Sequence, residues 1–248
     1  MSEETIIRTA VVTGGSRGIG RAVCIQLAKQ GCNVVVNYCH GEAAAAETVA
    51  LCKAENANAV AVQADVSTAE GCKALFEQAV NAFGRVDILV NNAGVAHGGL
   101  FQMTGMSKVR EVFDSNLFSM MELTQLLLRY MMRRRHASII NLGSVLGLDM
   151  PVGSCAYGLS KAAVMAFTRT LAAECGHLRI RVNAVAPGLV DTEMADQMES
   201  KAEEAMIAQC AMKRRAKPEE IAKMVVFLAS EESSFVNGQI IRIDGGKV

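Results

Sequence analysis

Residues 9–23, TAVVTGGSRGIGRAV, run from a short β-branched stretch through a glycine-rich turn into a helical pattern. The glycines of that turn, Gly14, Gly18 and Gly20, are spaced Gly-x-x-x-Gly-x-Gly. A pyrophosphate can bind at a helix N-terminus only where the backbone approaches it without intervening Cβ atoms. A turn of this composition between the first strand and the first helix therefore indicates a nucleotide-binding fold.

The alternation of strand and helix continues along the whole chain. Several β-branched runs are apolar throughout, which is typical of a parallel sheet covered on both faces. Helical spacing separates them, for example at 20–30, 42–54 and 69–83. We expect an α/β, Rossmann-type doubly wound fold, with a seven-stranded parallel sheet flanked by helices in a single domain spanning 1–248. The predicted strands are 9–14, 33–38, 58–65, 86–92, 138–144, 180–187 and 238–244.

Composition narrows the range of partners. The 25 basic and 25 acidic residues cancel, so no global field favours nucleic acid or an anionic membrane. No window reaches the roughly 18 consecutive apolar residues of a membrane-spanning helix, and the acidic N-terminal stretch does not resemble a secretory signal. The eight cysteines form no Cys-x-x-Cys pair. We therefore expect structural thiols, no metal, and a reducing, cytoplasmic environment.

The end of the second strand bears on the choice of cofactor. An acid there would bind the adenosine ribose of NAD and repel a 2′-phosphate. The strand ends instead in Asn37 and Tyr38, and the next acid is Glu42. Arg17 in the glycine turn offers a cation within reach of a 2′-phosphate, although a solvated loop arginine would give the same pattern. These residues favour NADP(H), and Asp65 at the end of the third strand is placed to meet the adenine.

The stretch 153–164, GSCAYGLSKAAV, puts Tyr157 and Lys161 one helical turn apart on one face. Ser144 ends the preceding strand, at the carboxyl edge where a parallel sheet binds its ligand. An ammonium at about 5 Å would lower the pKa of a tyrosine by roughly two units, making the phenol a usable acid for a carbonyl oxygen. Such a pair can equally be a surface contact, so its context has to decide.

In its context the chain resembles the short-chain dehydrogenase/reductases. The motifs that carry the resemblance stand in family order: TGGSRGIG (13–20), NNAG (91–94), SNLFSM (115–120), Ser144, YGLSK (157–161), APGLVDTEM (186–194) and GQIIRIDGG (238–246). The resemblance implies that Tyr157 exchanges a proton with the substrate and that Ser144 holds the substrate carbonyl. It also implies that Lys161 binds the nicotinamide ribose and that Asn116 supports a proton relay.

The cofactor site implied by these motifs extends along the whole carboxyl edge of the sheet. The residues expected to contact NADP(H) are Gly14, Ser16, Arg17, Gly18, Ile19, Gly20, Asn37, Tyr38, Asp65, Val66, Asn92, Ala93, Gly94, Tyr157, Lys161, Pro187, Gly188, Val190 and Thr192.

Within the family, the segments 34–49, 131–147 and 217–239 are similar to bacterial 3-oxoacyl-[acyl-carrier-protein] reductases. That group uses NADPH to reduce a β-keto thioester to the (R)-3-hydroxyacyl product in fatty-acid synthesis. The basic run 133–135 would suit an acidic carrier protein, but cations at a helix C-terminus also complement the helix dipole. The chain departs from the group at 97–99, where His97, Gly98 and Gly99 replace a polar trio. It departs again at 136–138 and at Ala173, where basic positions are lost.

Two further segments bear on the substrate and on assembly. We expect 191–215 to form a lid over the substrate, whose methionines either adapt to an acyl chain or, as the better-supported interpretation, pack an amphipathic helix. The helix over 119–135 is apolar on more faces than one sheet contact requires, which predicts a homotetramer. Two alternatives stay open: a relative acting on a free small carbonyl or alcohol, sugar or steroid, and a dinucleotide-binding regulatory protein without catalysis.

Overall fold

The computed structural model describes residues 7–133, 136–197 and 200–247. Its strands are β1 (Thr9–Val12), β2 (Asn33–Tyr38), β3 (Ala59–Gln63), β4 (Ile88–Asn91), β5 (Ala137–Leu142), β6 (Ile180–Pro187) and β7 (Ile240–Ile243). They form one sheet in the order β3-β2-β1-β4-β5-β6-β7, in which all neighbouring strands are parallel. The predicted doubly wound seven-stranded sheet is confirmed.

Helices connect the strands and cover both faces of the sheet. They are α1 (Gly18–Lys29), α2 (Glu42–Ala54), α3 (Ala69–Phe83), α4 (Met106–Phe113), α5 (Ser119–Met131), α6 (Leu146–Asp149), α7 (Cys155–Cys175), α8 (Ser200–Gln209) and α9 (Pro218–Ala229). A π-helical turn, Asp114–Phe118, joins α4 to α5. The helical spacing in the sequence places α2 and α3 at their observed bounds. In the structure, Thr68 caps the first turn of α3 and Gly84 ends this helix in a left-handed conformation.

The core has two layers because successive residues of each strand point to opposite faces. On one face Val12 and Val34 pack in the cluster that contains Leu27 of α1 and Leu228 of α9. On the other face Val11, Val35 and Ile139 pack in the cluster that contains Leu75 of α3 and Leu127 of α5, together with Leu171 of α7. All of these strand residues are fully buried. Burial on both faces explains why the strands read as continuous apolar runs.

The crevice for a ligand lies where the strand order reverses, between β1 and β4. Thr13, directly after β1, holds the two edges of this crevice together. Its Oγ1 accepts hydrogen bonds from the backbone N–H groups of Asn92 and Ala93, both at 2.9 Å. The turns that follow β1 and β4 are therefore fixed to each other at the carboxyl edge of the sheet.

The cysteines of the chain lie mostly in the core. All eight are unpaired thiols, and Cys24, Cys52 and Cys72 are fully buried in helices. Burial raises the pKa of the Cys52 and Cys72 thiols to about 11, so both stay protonated at neutral pH. None of the helices in the described ranges is long and apolar enough to cross a membrane.

Candidate active site

The glycine turn after β1 forms a backbone cradle. Gly14 has a φ of 61°, a conformation that favours glycine. A Cβ on Gly20 would collide with the carbonyl oxygen of Gly14, and a Cβ on Gly14 would lie 3.1 Å from Nδ2 of Asn92. The first turn of α1 thus approaches the loop more closely than any side chain allows. A cradle of bare backbone at a helix N-terminus fits the pyrophosphate of a dinucleotide.

Arg21, which the sequence reading did not single out, supports this cradle from behind. Its Nε donates to the carbonyl oxygen of Ser16 and to Oγ1 of Thr48, both at 3.0 Å, and its guanidinium pairs with Glu47 at 2.8 Å. The Thr48 hydroxyl also donates to the Ser16 carbonyl at 3.1 Å. Helix α2 therefore holds the loop from outside, a contact that local spacing does not reveal.

Asn37 is buried, and its side chain bonds within the protein. Its Oδ1 accepts from the backbone N–H of Gly14 at 3.4 Å, and its Nδ2 donates to the carbonyl oxygens of Val62 and Ala64 at 3.3 and 2.9 Å. The structure thus places Asn37 under the glycine turn, where it joins β2 to the end of β3. Tyr38 beside it is also buried. Cofactor contacts for both residues stay predictions.

Replacing Asn37 with alanine is expected to lower the free energy of unfolding by about 2 kcal/mol, because buried carbonyl groups lose their donor. The glycine turn loses a support that does not depend on the 2′-phosphate, so binding of NADPH and NADH should weaken by the same factor. Urea unfolding and dinucleotide titration measure the two effects. Asn58→Ala, which removes an exposed amide whose one side-chain hydrogen bond within the described residues goes to Asn33, is the matched control. A loss of affinity for NADPH alone would instead assign Asn37 a direct contact with the 2′-phosphate.

Asp65 and Val66 lie at the start of the turn that follows β3. The Asp65 carboxylate accepts from the backbone N–H and the hydroxyl of Ser67 at 3.0 and 2.7 Å. These two bonds hold its pKa below the ordinary range, so the group is ionised at neutral pH. The structure thus presents a fixed carboxylate at the end of β3, where the sequence predicts the adenine.

Asn116 lies in the π-helical turn between α4 and α5. Its Oδ1 accepts from the backbone N–H of Val95 at 2.8 Å, and its Nδ2 donates to the Val95 carbonyl and to Oγ of Ser160, both at 3.0 Å. π-helical turns recur at functional sites because they re-aim one side chain. Here the turn aims Asn116 at two elements of the site, the loop after the NNAG motif (91–94) and helix α7.

Ser144, Tyr157 and Lys161 meet beside this loop. The Ser144 side chain is close enough to the Tyr157 hydroxyl to favour its ionised form, and the backbone N–H of Leu146 donates to Oγ of Ser144 at 3.1 Å. Nζ of Lys161 lies 5.9 Å from the centre of the Tyr157 ring and donates to the carbonyl oxygen of Leu142 at 2.8 Å. The end of β5 and one face of α7 thus bring these three side chains together.

Gly94 lies between Lys161 and Asn116, the fourth residue expected to take part in the chemistry. A Cβ there would be 2.7 Å from Oδ1 of Asn116 and 3.5 Å from Nζ of Lys161. The end of the NNAG motif therefore packs against both side chains. All four residues expected from the sequence to carry the chemistry lie around one point at the carboxyl edge of the sheet.

The electrostatics of the site differ from the sequence expectation in one respect. The pKa of Tyr157 is raised, not lowered, because burial disfavours the phenolate more strongly than the nearby Ser144 hydroxyl stabilises it. Burial also lowers the pKa of Lys161 from 10.5 to about 8. The expected lowering of the tyrosine pKa considered the charge of Lys161 alone and left out the removal of water from both groups.

The remaining residues predicted to contact the cofactor lie at the end of β6 and just after it. The backbone N–H of Val145 donates to the Pro187 carbonyl at 3.0 Å, and that of Gly188 donates to Ile243 at 2.8 Å. The side chain of Thr192 packs over Gly18, where a Cβ would lie 3.3 Å from its Cγ2. The residues after β6 therefore reach back to the glycine turn and enclose the crevice from the side opposite the NNAG motif.

The predicted lid begins at this point. Arg215 binds three of its acids, Asp191 at 3.1 Å and Asp196 and Glu203 at 2.8 Å. Helix α8 has no fully buried residue, but Met206 on it is half-buried, so the interpretation of this methionine as a packing residue stays a prediction. Met194 and Met212 are exposed, and Met198 lies outside the described residues.

Two other expectations concern the basic run 133–135 and the absence of a metal site. Arg133 is exposed just beyond α5, while Arg134 and Arg135 lie outside the described residues. No cluster of three or more His, Cys, Asp or Glu in the described ranges could hold a metal ion.

A glycine cradle for a dinucleotide and a serine–tyrosine pair beside a buried ammonium fit a single kind of chemistry. The cradle would hold a nicotinamide dinucleotide along the crevice, and the hydroxyl pair would meet the oxygen of a carbonyl or alcohol. The fold and the site thus define an oxidoreductase that acts on CH–OH or C=O groups.

Comparison with known proteins identifies the family. The sequence profile described as "Enoyl-(Acyl carrier protein) reductase" matches residues 14–247. The chain is 38% identical over 239 residues to 3-oxoacyl-[acyl-carrier-protein] reductase FabG of Staphylococcus aureus (strain Mu50), covering 96% of this chain and 97% of that protein. It is 36% identical over 246 residues to FabG of Thermotoga maritima, covering 97% and 98%. The chain belongs to the short-chain dehydrogenase/reductase family.

Solved structures agree with this assignment. A protein from Agrobacterium tumefaciens, provisionally described as a gluconate dehydrogenase, superposes with a TM-score of 0.91 at 33% identity, covering 96% of this chain and 95% of that one. A protein from Sinorhizobium meliloti, provisionally described as a short-chain alcohol dehydrogenase, gives the same values. The fold is therefore shared by relatives whose described substrates differ.

Proposed function

We propose that this protein is an NADPH-dependent 3-oxoacyl reductase, which reduces a β-keto thioester on acyl carrier protein to the (R)-3-hydroxyacyl product in fatty-acid synthesis. The observation that carries the proposal is the grouping of Ser144, Tyr157 and Lys161 at the carboxyl edge of the sheet, with Nζ of Lys161 5.9 Å from the centre of the Tyr157 ring. The names of the relatives at 36% and 38% identity support the choice of substrate.

The chain's own residues have distinct tasks in this reaction. When bound, the dinucleotide supplies the hydride that reduces the carbonyl carbon. Ser144 holds the carbonyl oxygen by a hydrogen bond while Tyr157 donates its phenolic proton to that oxygen. The ammonium of Lys161 stabilises the phenolate that remains, in a site where little water screens the charge. Asn116 keeps the loop at Val95 and helix α7 in register around them.

The preference for NADPH rests on charge at the adenosine end. The end of β2 carries no acid, and Arg17 stands in the glycine turn with an exposed guanidinium. A guanidinium binds a phosphate by two parallel hydrogen bonds, an interaction that the ribose hydroxyl of NADH does not replace. Arg17 would therefore favour the phosphorylated cofactor.

One observation favours a second candidate, a reductase of small free carbonyl compounds with a polar substituent. Nε2 of His97 is buried without a hydrogen-bond partner among the described residues. The loop that carries it is tied to the start of the catalytic helix by a 2.8 Å bond from the N–H of Gly99 to the carbonyl of Gly153. A hydroxyl or carboxylate on a small substrate would satisfy His97, which a plain acyl chain would not.

The two candidates are separated by turnover with matched substrates. Oxidation of NADPH, followed by its absorbance, is measured with acetoacetyl thioester and with free acetoacetate, and NADH is run in parallel. Fast turnover of the thioester with NADPH, giving the (R)-3-hydroxyacyl product on chiral analysis, supports the proposal. A preference for the free acid overturns it in favour of the second candidate. Equal rates with NADH would overturn the cofactor assignment alone.

We also propose a homotetramer in the cytoplasm that receives its substrate on a carrier protein. Large apolar side chains are exposed on neighbouring elements, including Met106 of α4, Phe118 of the π-helical turn, Met121 of α5 and Leu159 of α7. A second copy of the chain would cover them. Light scattering coupled to size exclusion is expected to give four times the chain mass of 26.4 kDa, and a monodisperse monomer would contradict this assembly.

A further inference from the structure

An ion pair joins the lid to the glycine turn, next to the packing of Thr192 over Gly18. Nη1 of Arg17 lies 2.6 Å from Oε2 of Glu193, and each side chain is 67% exposed. The two residues are 176 positions apart in the chain. Among the described residues Arg17 has no other ion-pair partner. The cation assigned to the 2′-phosphate is thus already paired with a carboxylate of the lid.

Glu193 differs from the other acids of this segment in where it bonds. Asp191, Asp196 and Glu203 all bind Arg215, which belongs to the lid itself. Among the ion pairs of the described ranges, the Arg17–Glu193 pair alone joins a lid acid to the glycine turn. Arg215 would keep the base of the lid folded whether or not the Arg17 pair is formed.

We propose that Glu193 competes with the 2′-phosphate of the cofactor for Arg17, so that binding of the phosphorylated dinucleotide releases the Glu193 side chain from the glycine turn. This inference rests on the proposed preference for NADPH. Glu193 becomes a specificity-determining residue that weakens binding of the phosphorylated cofactor and leaves the other cofactor unaffected.

The relative strengths of the two interactions decide the direction of the exchange. The Arg17–Glu193 pair is solvent-exposed and screened by salt, and pairs of this kind contribute little. A phosphate carries more negative charge than a carboxylate and offers more acceptor oxygens to the guanidinium. The phosphate therefore displaces the Glu193 side chain from Arg17, and this exchange occurs only when a 2′-phosphate is present.

The proposal is tested by the binding of two fragments, adenosine 2′,5′-bisphosphate and adenosine 5′-monophosphate, which differ in the 2′-phosphate and carry no nicotinamide. Calorimetric titration gives both dissociation constants. Glu193→Gln is expected to strengthen binding of the bisphosphate by about 3- to 5-fold and that of the monophosphate by less than about 1.5-fold. The gain should shrink as the salt concentration is raised.

Three further variants make the result specific. Arg17→Ala should weaken bisphosphate binding by roughly 10-fold or more, and adding Glu193→Gln to it should change nothing further. Glu204→Gln removes the same charge from an exposed lid glutamate that has no ion pair in the described ranges. It should leave both dissociation constants unchanged, and a gain equal to that of Glu193→Gln would assign the effect to net charge and overturn the competition.

The outcomes separate this inference from the proposed function. If Arg17→Ala weakens bisphosphate binding but Glu193→Gln leaves it unchanged, the competition is wrong while the NADPH assignment stands. If Glu193→Gln weakens binding, Glu193 positions Arg17 for the phosphate and the proposal is overturned. If the wild-type protein binds both fragments equally and Arg17→Ala has no effect, the NADPH assignment fails, and the competition fails with it.

Discussion

Replacement of Tyr157 by phenylalanine is expected to lower turnover by a factor of about 10²–10⁴, the usual contribution of a positioned general acid. The substitution removes one oxygen atom and keeps the ring, which is half-buried on α7. Ser144 would still contact the carbonyl oxygen, but no group at that point could deliver a proton. Because the ring stays in place, the dissociation constant of the dinucleotide should change by less than about twofold.

The control for this variant is a second tyrosine-to-phenylalanine change away from the site. The Tyr130 hydroxyl donates to the carbonyl oxygen of Gly84 at 2.6 Å, an exposed contact between α5 and the end of α3. Tyr130→Phe loses a hydroxyl of the same kind and should keep wild-type turnover. Steady-state rates and fluorescence titration of the dinucleotide measure both quantities. Substantial turnover by Tyr157→Phe would show that another group, or water, protonates the substrate.

The sequence predicted the parts of the fold that depend on local spacing. The strands and the helices α1 to α3 follow from the periodicity of apolar residues, which acts within a few residues. The order of the glycine turn, Ser144 and Tyr157 along the chain also placed them at one edge, because parallel strands end together. These features do not depend on contacts between residues that are far apart in the chain.

What the sequence could not predict depends on residues far apart in the chain. Spacing gives no sign of the Arg17–Glu193 pair, since its partners meet only after the lid returns to the glycine turn. Spacing also gives no sign that the Asn37 side chain donates to the Ala64 carbonyl in the turn after β3, because these residues are 27 positions apart. The sequence also predicted the wrong direction for the pKa shift of Tyr157, because burial depends on the whole fold.

Lys161→Met is expected to abolish most turnover and, at pH 7, to make the protein more stable. Lys161 is 5% exposed, and burial lowers its pKa from 10.5 to about 8. A shift of this size means that the buried charge lowers the free energy of unfolding by about 3 kcal/mol at neutral pH. Loss of the hydrogen bond to the Leu142 carbonyl costs about 1–2 kcal/mol. The free energy of unfolding of the variant should therefore exceed that of the wild type by about 1–2 kcal/mol. Turnover should fall by about 10²-fold or more, because the phenolate loses its counter-charge.

The pH dependence identifies the charge as the cause. Since the folded-state pKa of Lys161 lies below that of the unfolded chain, the unfolded chain binds more protons between about pH 8 and 10.5. The stability of the wild type therefore gains a contribution as pH rises through this window, and Lys161→Met lacks it. Urea midpoints measured at pH 7 and pH 10 should show the advantage of the variant shrinking at the higher pH. Lys73→Met, which removes a lysine whose side chain is 71% exposed on α3, should change neither stability nor turnover appreciably. An advantage that stays constant with pH would mean that improved packing by methionine, and not removal of a buried charge, stabilises the variant.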